Sequence, residues 1–167
     1  MPEPTLRVAM ICTGNICRSP MAEAALAHLV AQDDVLRGRV DVSSAGTANW
    51  HVGRPMDPRA RRALDRAGID RVARPGAYAD RSYLGAQDLV VVMTREHRDD
   101  VRRRLTSQAT EVIMLRNLMS PGLDLDVADP YYGDDQEFDE CLDLLRECCR
   151  RLTSVFRQRL DAGSYEA

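Results

Sequence analysis

The sequence predicts a single α/β domain: a four-stranded parallel sheet, strand order 2-1-3-4, flanked by helices on both faces. Short apolar, β-leaning runs at 8–11, 39–44, 89–93 and 112–115 alternate with stretches of helical spacing, the pattern of right-handed strand–helix–strand crossovers. The run at 89–93 is unbroken, as expected of an interior parallel strand covered on both faces. A chain of 167 residues, 44% hydrophobic, can bury roughly two-thirds of its surface as one domain, and two would be cramped. In such a sheet a ligand site lies at the carboxyl end of the strand where the order reverses, here the first.

Residues 6–23 read as strand, tight loop and helix start. Gly14 and Asn15 tolerate positive φ, and Ser19-Pro20 supplies an N-cap followed by proline at the first helical position. A loop of this kind wraps backbone N–H groups around a concavity and aims a helix N-terminus at it, which attracts an anion such as phosphate. Cys12 opens the loop and Arg18 closes it. A thiol among amide donors, a helix dipole and a guanidinium is favoured as the nucleophilic thiolate. The planar fork of Arg18 can hold two oxygens of a phosphoryl group, which lysine cannot do. Ser19 has two possible duties, capping the helix or donating its hydroxyl to the sulfur. An inert buried cysteine would not explain Cys12, Gly14, Asn15, Arg18, Ser19 and Pro20 together.

The first helix is expected over 21–31, with Glu23 in its first turn pointing away from any bound anion. A second strand over 39–44 leads into a turn at 44–47. Trp50, the only tryptophan, lies in a polar loop, either as a hinge plug packed on the core or as an exposed stacking surface. His51 beside it reads as a solvated loop residue. A helix from Asp57-Pro58 to Ala67 ends at Gly68, with Arg61, Arg62 and Arg66 on its solvated side. Residues 69–86 are irregular apart from a short helix after Asp80. A charged amphipathic helix over 95–105 follows the third strand, its Arg102-Arg103-Arg104 cluster facing solvent. After the fourth strand, 116–133 is a long stretch rich in Pro, Gly and Asp, a length usually kept for function. Its carboxylates and their neighbours (Asp124, Asp126, Asp129, Asp134, Asp135) lack the spacing of a calcium loop. The closing helix, 137–160, repeats apolar residues at three and four, so Cys141, Cys148 and Cys149 read as small core residues.

All 23 basic residues are arginine, which excludes the Gly-Lys nucleotide loop and any Schiff-base or pyridoxal chemistry. A net charge of −3 gives no reason to expect nucleic acid as a partner. Five cysteines, an odd number, follow an N-terminus without a secretory pattern, and no run approaches membrane-spanning length. A reducing cytoplasm and no membrane partner are the expectation. The cysteine spacings and the scattered His28, His51 and His97 do not make a zinc set, and neither a metal nor a cofactor is expected.

Cys12-Thr-Gly-Asn-Ile-Cys-Arg-Ser-Pro-Met-Ala-Glu23 resembles the signature loop of the low-molecular-weight protein tyrosine phosphatases, bacterial type, and Asp129-Pro130-Tyr131-Tyr132-Gly133 resembles their acid segment. The match in order and length runs from about Arg7 to about Leu160. The resemblance implies hydrolysis of phosphotyrosine in proteins through a phosphocysteine on Cys12, with Arg18 binding phosphate and Asp129 as general acid and base. It implies a substrate site formed by Thr13, Gly14, Asn15, Ile16, Cys17, Ser19, Trp50, Tyr131 and Tyr132, with Ser44 bonding Asn15, in a monomer or weak dimer. It further implies that Cys17 can close a reversible disulfide with Cys12, the alternative being a small loop residue. Two departures stand out: Arg71-Val72-Ala73-Arg74 replaces a His-x-Ala-Arg stretch that braces the loop Asn, and Thr94 replaces an Asp that supports the arginine. Three other readings remain. A protein arginine phosphatase typically has Thr in place of Ile16 and lacks the paired tyrosines. A thiol-dependent arsenate reductase needs further cysteines, and none lies between Cys17 and Cys141. A phosphoprotein-binding domain would need no catalysis.

Overall fold

The computed structural model describes residues 6–70 and 74–163. Four parallel strands, β1 (Leu6–Cys12), β2 (Val40–Gly46), β3 (Leu89–Val92) and β4 (Glu111–Met114), form one sheet in the order β2-β1-β3-β4, as expected. β1 is central. Val8, Met10 and Cys12 point into one core with Met21 and Leu26 of α1 (Arg18–Gln32), Ala60 and Leu64 of α2 (Pro58–Arg66), and Phe138, Leu145 and Phe156 of α5 (Asp135–Gly163). Ala9 and Ile11 point the other way, with Val90 and Val92, toward Leu84 of α3 (Arg81–Gly85) and Val101 of α4 (Arg95–Arg104). Period-two alternation along β1 thus serves both layers, and each large side chain buried this way contributes about 2 kcal/mol.

Helices α2, α3 and α4 begin where side chains supply the missing acceptors. Asp57 accepts from Arg59 N at 2.8 Å with Pro58 in the first turn, Asp80 from Tyr83 N at 2.7 Å, and Thr94 from His97 N at 3.1 Å. α2 ends before Gly68, whose φ of +69° a β-carbon would disfavour. Several boundaries differ from expectation: β1 and α1 are both longer than 8–11 and 21–31, α1 starting three residues early at Arg18, and α5 ends at Gly163 rather than 160. β2 runs on through Gly46, because parallel pairing with β1 continues to Cys12, so 44–46 is strand and not turn. α5 starts at Asp135, two residues earlier than the apolar period, because Asp134 accepts from Glu137 N at 3.1 Å and so opens the helix ahead of its first core residue, Phe138.

Because β1 lies between β2 and β3, the chain leaves it in one direction and returns on its other side. The loops at its carboxyl end therefore diverge and leave a crevice over Cys12.

Candidate active site

The loop between Cys12 and Arg18 turns its carbonyls outward onto neighbouring N–H groups. Cys12 O accepts from Thr47 N at 2.9 Å, Thr13 O from Ala48 N at 3.0 Å, and Ile16 O from Asp57 N at 2.9 Å. Asn15 holds the bend, with φ +56° and 5% exposure. Its Nδ2 donates to Ser19 Oγ at 2.8 Å and Ser44 Oγ at 2.9 Å, and its Oδ1 accepts from Ala77 N at 2.9 Å. Gly46 lets β2 approach, since a β-carbon there would sit 2.5 Å from Thr13 O.

Cys12 Sγ, 3% exposed, lies 2.9 Å from Ser19 Oγ. That oxygen already accepts from Asn15, so the serine proton is free for the sulfur. α1 starts at Arg18 on a Cys17 N-cap that makes no side-chain cap bond, so the loop closes earlier than Ser19 and Ser19 does not cap the helix. The side-chain bonds of Ser19 go to the sulfur and the loop. Arg18, 5% exposed, donates from Nη1 to Val127 O at 3.0 Å, and its Nη2 lies 3.4 Å from Asp129 Oδ2. Asp129 is anchored in turn by Tyr131 N, which donates to Oδ1 at 3.1 Å.

These groups line one cleft of about 290 Å³, together with Thr13, Gly14, Ile16, Cys17, Trp50, Tyr131 and Tyr132. Asn15, Ser19 and Ser44 stand behind it as braces. Trp50 is 71% exposed and Tyr132 95%, so both belong to the rim and neither is a core plug. The Tyr131 and Tyr132 rings meet edge to face at 5.1 Å.

Residues 7–163 match the low molecular weight phosphotyrosine protein phosphatase family. A low molecular weight protein-tyrosine-phosphatase of Streptomyces coelicolor is 39% identical over 163 residues, covering 94% of this chain and 97% of the relative. The chain belongs to this family of cysteine-dependent phosphatases. Among solved structures, YfkJ from Bacillus subtilis superposes with a TM-score of 0.83 at 27% identity, covering 95% of this chain and 99% of that one. The YwlE arginine phosphatase from Geobacillus stearothermophilus does so with a TM-score of 0.80 at 28% identity, covering 92% and 94%.

In this phosphatase the two departures from the family pattern have structural answers. Arg71, Val72 and Ala73 lie outside the described residues, but the bracing of Asn15 Oδ1 comes from the backbone of Ala77. Thr94 caps α4, and the support of Arg18 falls to Val127 O and Asp129. Glu23 points away from the cleft as expected, into a separate cavity behind the loop. The carboxylates of the 124–135 stretch are dispersed onto partners: Asp124 on Arg98 and Asn117, Asp126 on Arg95, Asp134 on Glu137 N, and Asp135 on Arg62 and Arg66. One expectation about the arginine cluster fails. Arg104 is half-buried, donating to Ala79 O and Thr47 O with its guanidinium 5.1 Å from the Tyr78 ring, while Arg102 and Arg103 are exposed.

Two histidines of the site were not visible in the sequence. His51 lines the cleft, its Cδ2 3.0 Å from where a β-carbon of Gly14 would be, so Gly14 is small to admit the ring. His97, 3% exposed, places Nε2 2.8 Å from Thr13 Oγ1, fastening the phosphatase loop to α4. Burial, and then the positive charge of Arg18, depress its pKa to about 4, so the ring is neutral near pH 7. Nothing in the sequence signals a contact across 84 positions. Burial raises the pKa of Cys141 to about 12 and of Cys148 to about 11, and it raises that of Cys17 as well, assisted by Asp57 and Cys12.

Proposed function

We propose that the enzyme hydrolyses phosphotyrosine in protein substrates by attack of the Cys12 sulfur, in line, on phosphorus. The observation that carries this reading is the Cys12 Sγ–Ser19 Oγ contact of 2.9 Å in a cleft shared with the Arg18–Asp129 pair. The S–P bond forms as the bond to the phenolic oxygen breaks, and that oxygen, whose phenol has a pKa of about 10, takes the Asp129 proton. Loop amides and the Arg18 fork hold the equatorial oxygens. Asp129 then takes a proton from the water that attacks the phosphocysteine, and the Ser19 hydroxyl stabilises the departing thiolate.

Ile16 offers the substrate an apolar contact where a hydroxyl would suit a guanidino group, and Tyr131 and Tyr132 add aromatic surface; both favour a phenolic substrate over phosphoarginine. All five cysteines are unpaired, which supports a reducing compartment, the cytoplasm. Cys17 shares the cleft with Cys12, which supports a protective disulfide between them on oxidation.

Rapid quench with radiolabelled substrate tests the nucleophile: phosphate is trapped on the wild type and not on Cys12→Ala, which offers no acceptor atom. Label retained by Cys12→Ala would refute the assignment. Turnover on matched phosphotyrosine and phosphoarginine peptides decides the substrate, and faster release from phosphoarginine would overturn the reading.

A further inference from the structure

Arg59 lies on α2 outside the cleft, yet its side chain ends on the acid segment. Its Nε and Nη2 fork onto the Asp57 carboxylate at 3.1 and 2.9 Å, and its Nη1 donates to Gly133 O at 2.9 Å. The same guanidinium sits 5.4 Å from the centroid of the Tyr131 ring and 4.6 Å from that of Phe138. Each end of this strut reaches the reaction centre through one further bond. Asp57 N donates to Ile16 O of the catalytic loop at 2.9 Å, and Tyr131 N donates to Asp129 Oδ1 at 3.1 Å. Gly133 N closes the intervening turn onto Pro130 O at 2.8 Å.

We propose that Arg59 is a positioning residue for the general acid, holding the Asp129 carboxyl in register with the Cys12–Arg18 loop; the proposal rests on the reading of Asp129 as that acid. The physical need is plain. Asp129 is 47% exposed, and beyond the 3₁₀ turn Leu115–Leu118 its segment has no regular hydrogen bonding until α5 begins. A carboxyl that must meet a leaving oxygen within hydrogen-bond reach loses catalysis if displaced by about 1 Å. The Asp57–Arg59 pair suits a tether because its side chains are only 9% and 26% exposed and the fork is bidentate, so solvent screens it less than a surface pair. The guanidinium also lies against two aromatic rings, which fixes its plane.

The test compares phenyl phosphate, which needs a proton on its leaving group, with an activated dinitrophenyl phosphate, which does not. Arg59→Met keeps the apolar stem and removes the fork. It should lower kcat on phenyl phosphate by about tenfold, a fraction of the 10²–10⁴ available from a general acid, and change the activated substrate less than about twofold. Inhibition by inorganic phosphate should be unchanged. In an Asp129→Ala background, Arg59→Met should cost nothing further on either substrate. Asp57→Asn, which can still cap α2, should repeat the pattern more weakly, and Arg59→Lys should rescue in part. Equal losses on both substrates, or an undiminished loss in the Asp129→Ala background, would make Arg59 structural only and overturn the proposal. If Asp129→Ala itself shows no leaving-group dependence, the acid assignment falls, and the role of Arg59 with it.

Discussion

Glu23→Gln should stabilise the enzyme in mild alkali and do nothing in acid. Glu23 is 3% exposed, its Oε1 makes no hydrogen bond among the described residues, and the largely exposed Arg74 lies 3.9 Å away. Desolvation, offset in part by Arg74, raises its pKa from 4.5 to about 7. Between those values the folded chain holds a proton that the unfolded chain has released, so stability falls as pH rises through that window. At 1.36 kcal/mol per pH unit the cost is fully developed above pH 7 and amounts to about 3 kcal/mol. His97 acts with the opposite sign. Its pKa falls from 6.5 to about 4, so the unfolded chain holds the extra proton and stability is lost as pH drops through that window, also by about 3 kcal/mol. The two nearly cancel, and the wild type should show a shallow profile between pH 4.5 and 7. Urea unfolding in reducing buffer at several pH values measures this. Glu23→Gln should exceed the wild type by about 3 kcal/mol at pH 8 and converge with it near pH 4.5, exposing the loss from His97 as a steep acid limb. A difference between Glu23→Gln and wild type that stays constant from pH 4.5 to 8 would refute the reasoning.

Other outcomes follow from the same geometry. Asn15→Ala deletes one buried and two part-buried hydrogen bonds at a left-handed residue and should cost about 3 kcal/mol of stability together with most phosphate affinity, read by unfolding and by inhibition with inorganic phosphate. Gly46→Ala forces a β-carbon to within 2.5 Å of a loop carbonyl and should raise KM and lower kcat together, whereas Gly38→Ala, in open space at positive φ, should affect thermal stability alone. His97→Leu leaves the Thr13 hydroxyl without its partner and should reduce kcat/KM by about tenfold with little change in the leaving-group dependence, as measured by steady-state kinetics. Asp129→Ala should slow phenyl phosphate by about 10²-fold or more and the activated ester far less, and equal losses across a leaving-group series would remove Asp129 from the acid role.

Much of this was legible because it depends on local rules. The alternation of strands and helices, the caps at Asp57 and Asp80, and the stop at Gly68 are set by residues within a few positions of each element. The Cys12–Arg18 loop is likewise contiguous, so its residue types and spacing disclose it. The pairing of that loop with Asp129 was legible only through resemblance to a family, because no local period links two segments more than 100 positions apart.

The sequence alone determined the order of the sheet, the place of Cys12 at the end of β1, and the chemical types gathered around it. Tertiary structure decided which groups hold those types in position: the amide of Ala77 on Asn15, Val127 O on Arg18, His97 on Thr13, and Arg59 on Gly133 O. These are backbone atoms or long-range side-chain contacts. A backbone amide has no residue identity to read, and a contact between distant segments depends on how the chain packs, which no local spacing records.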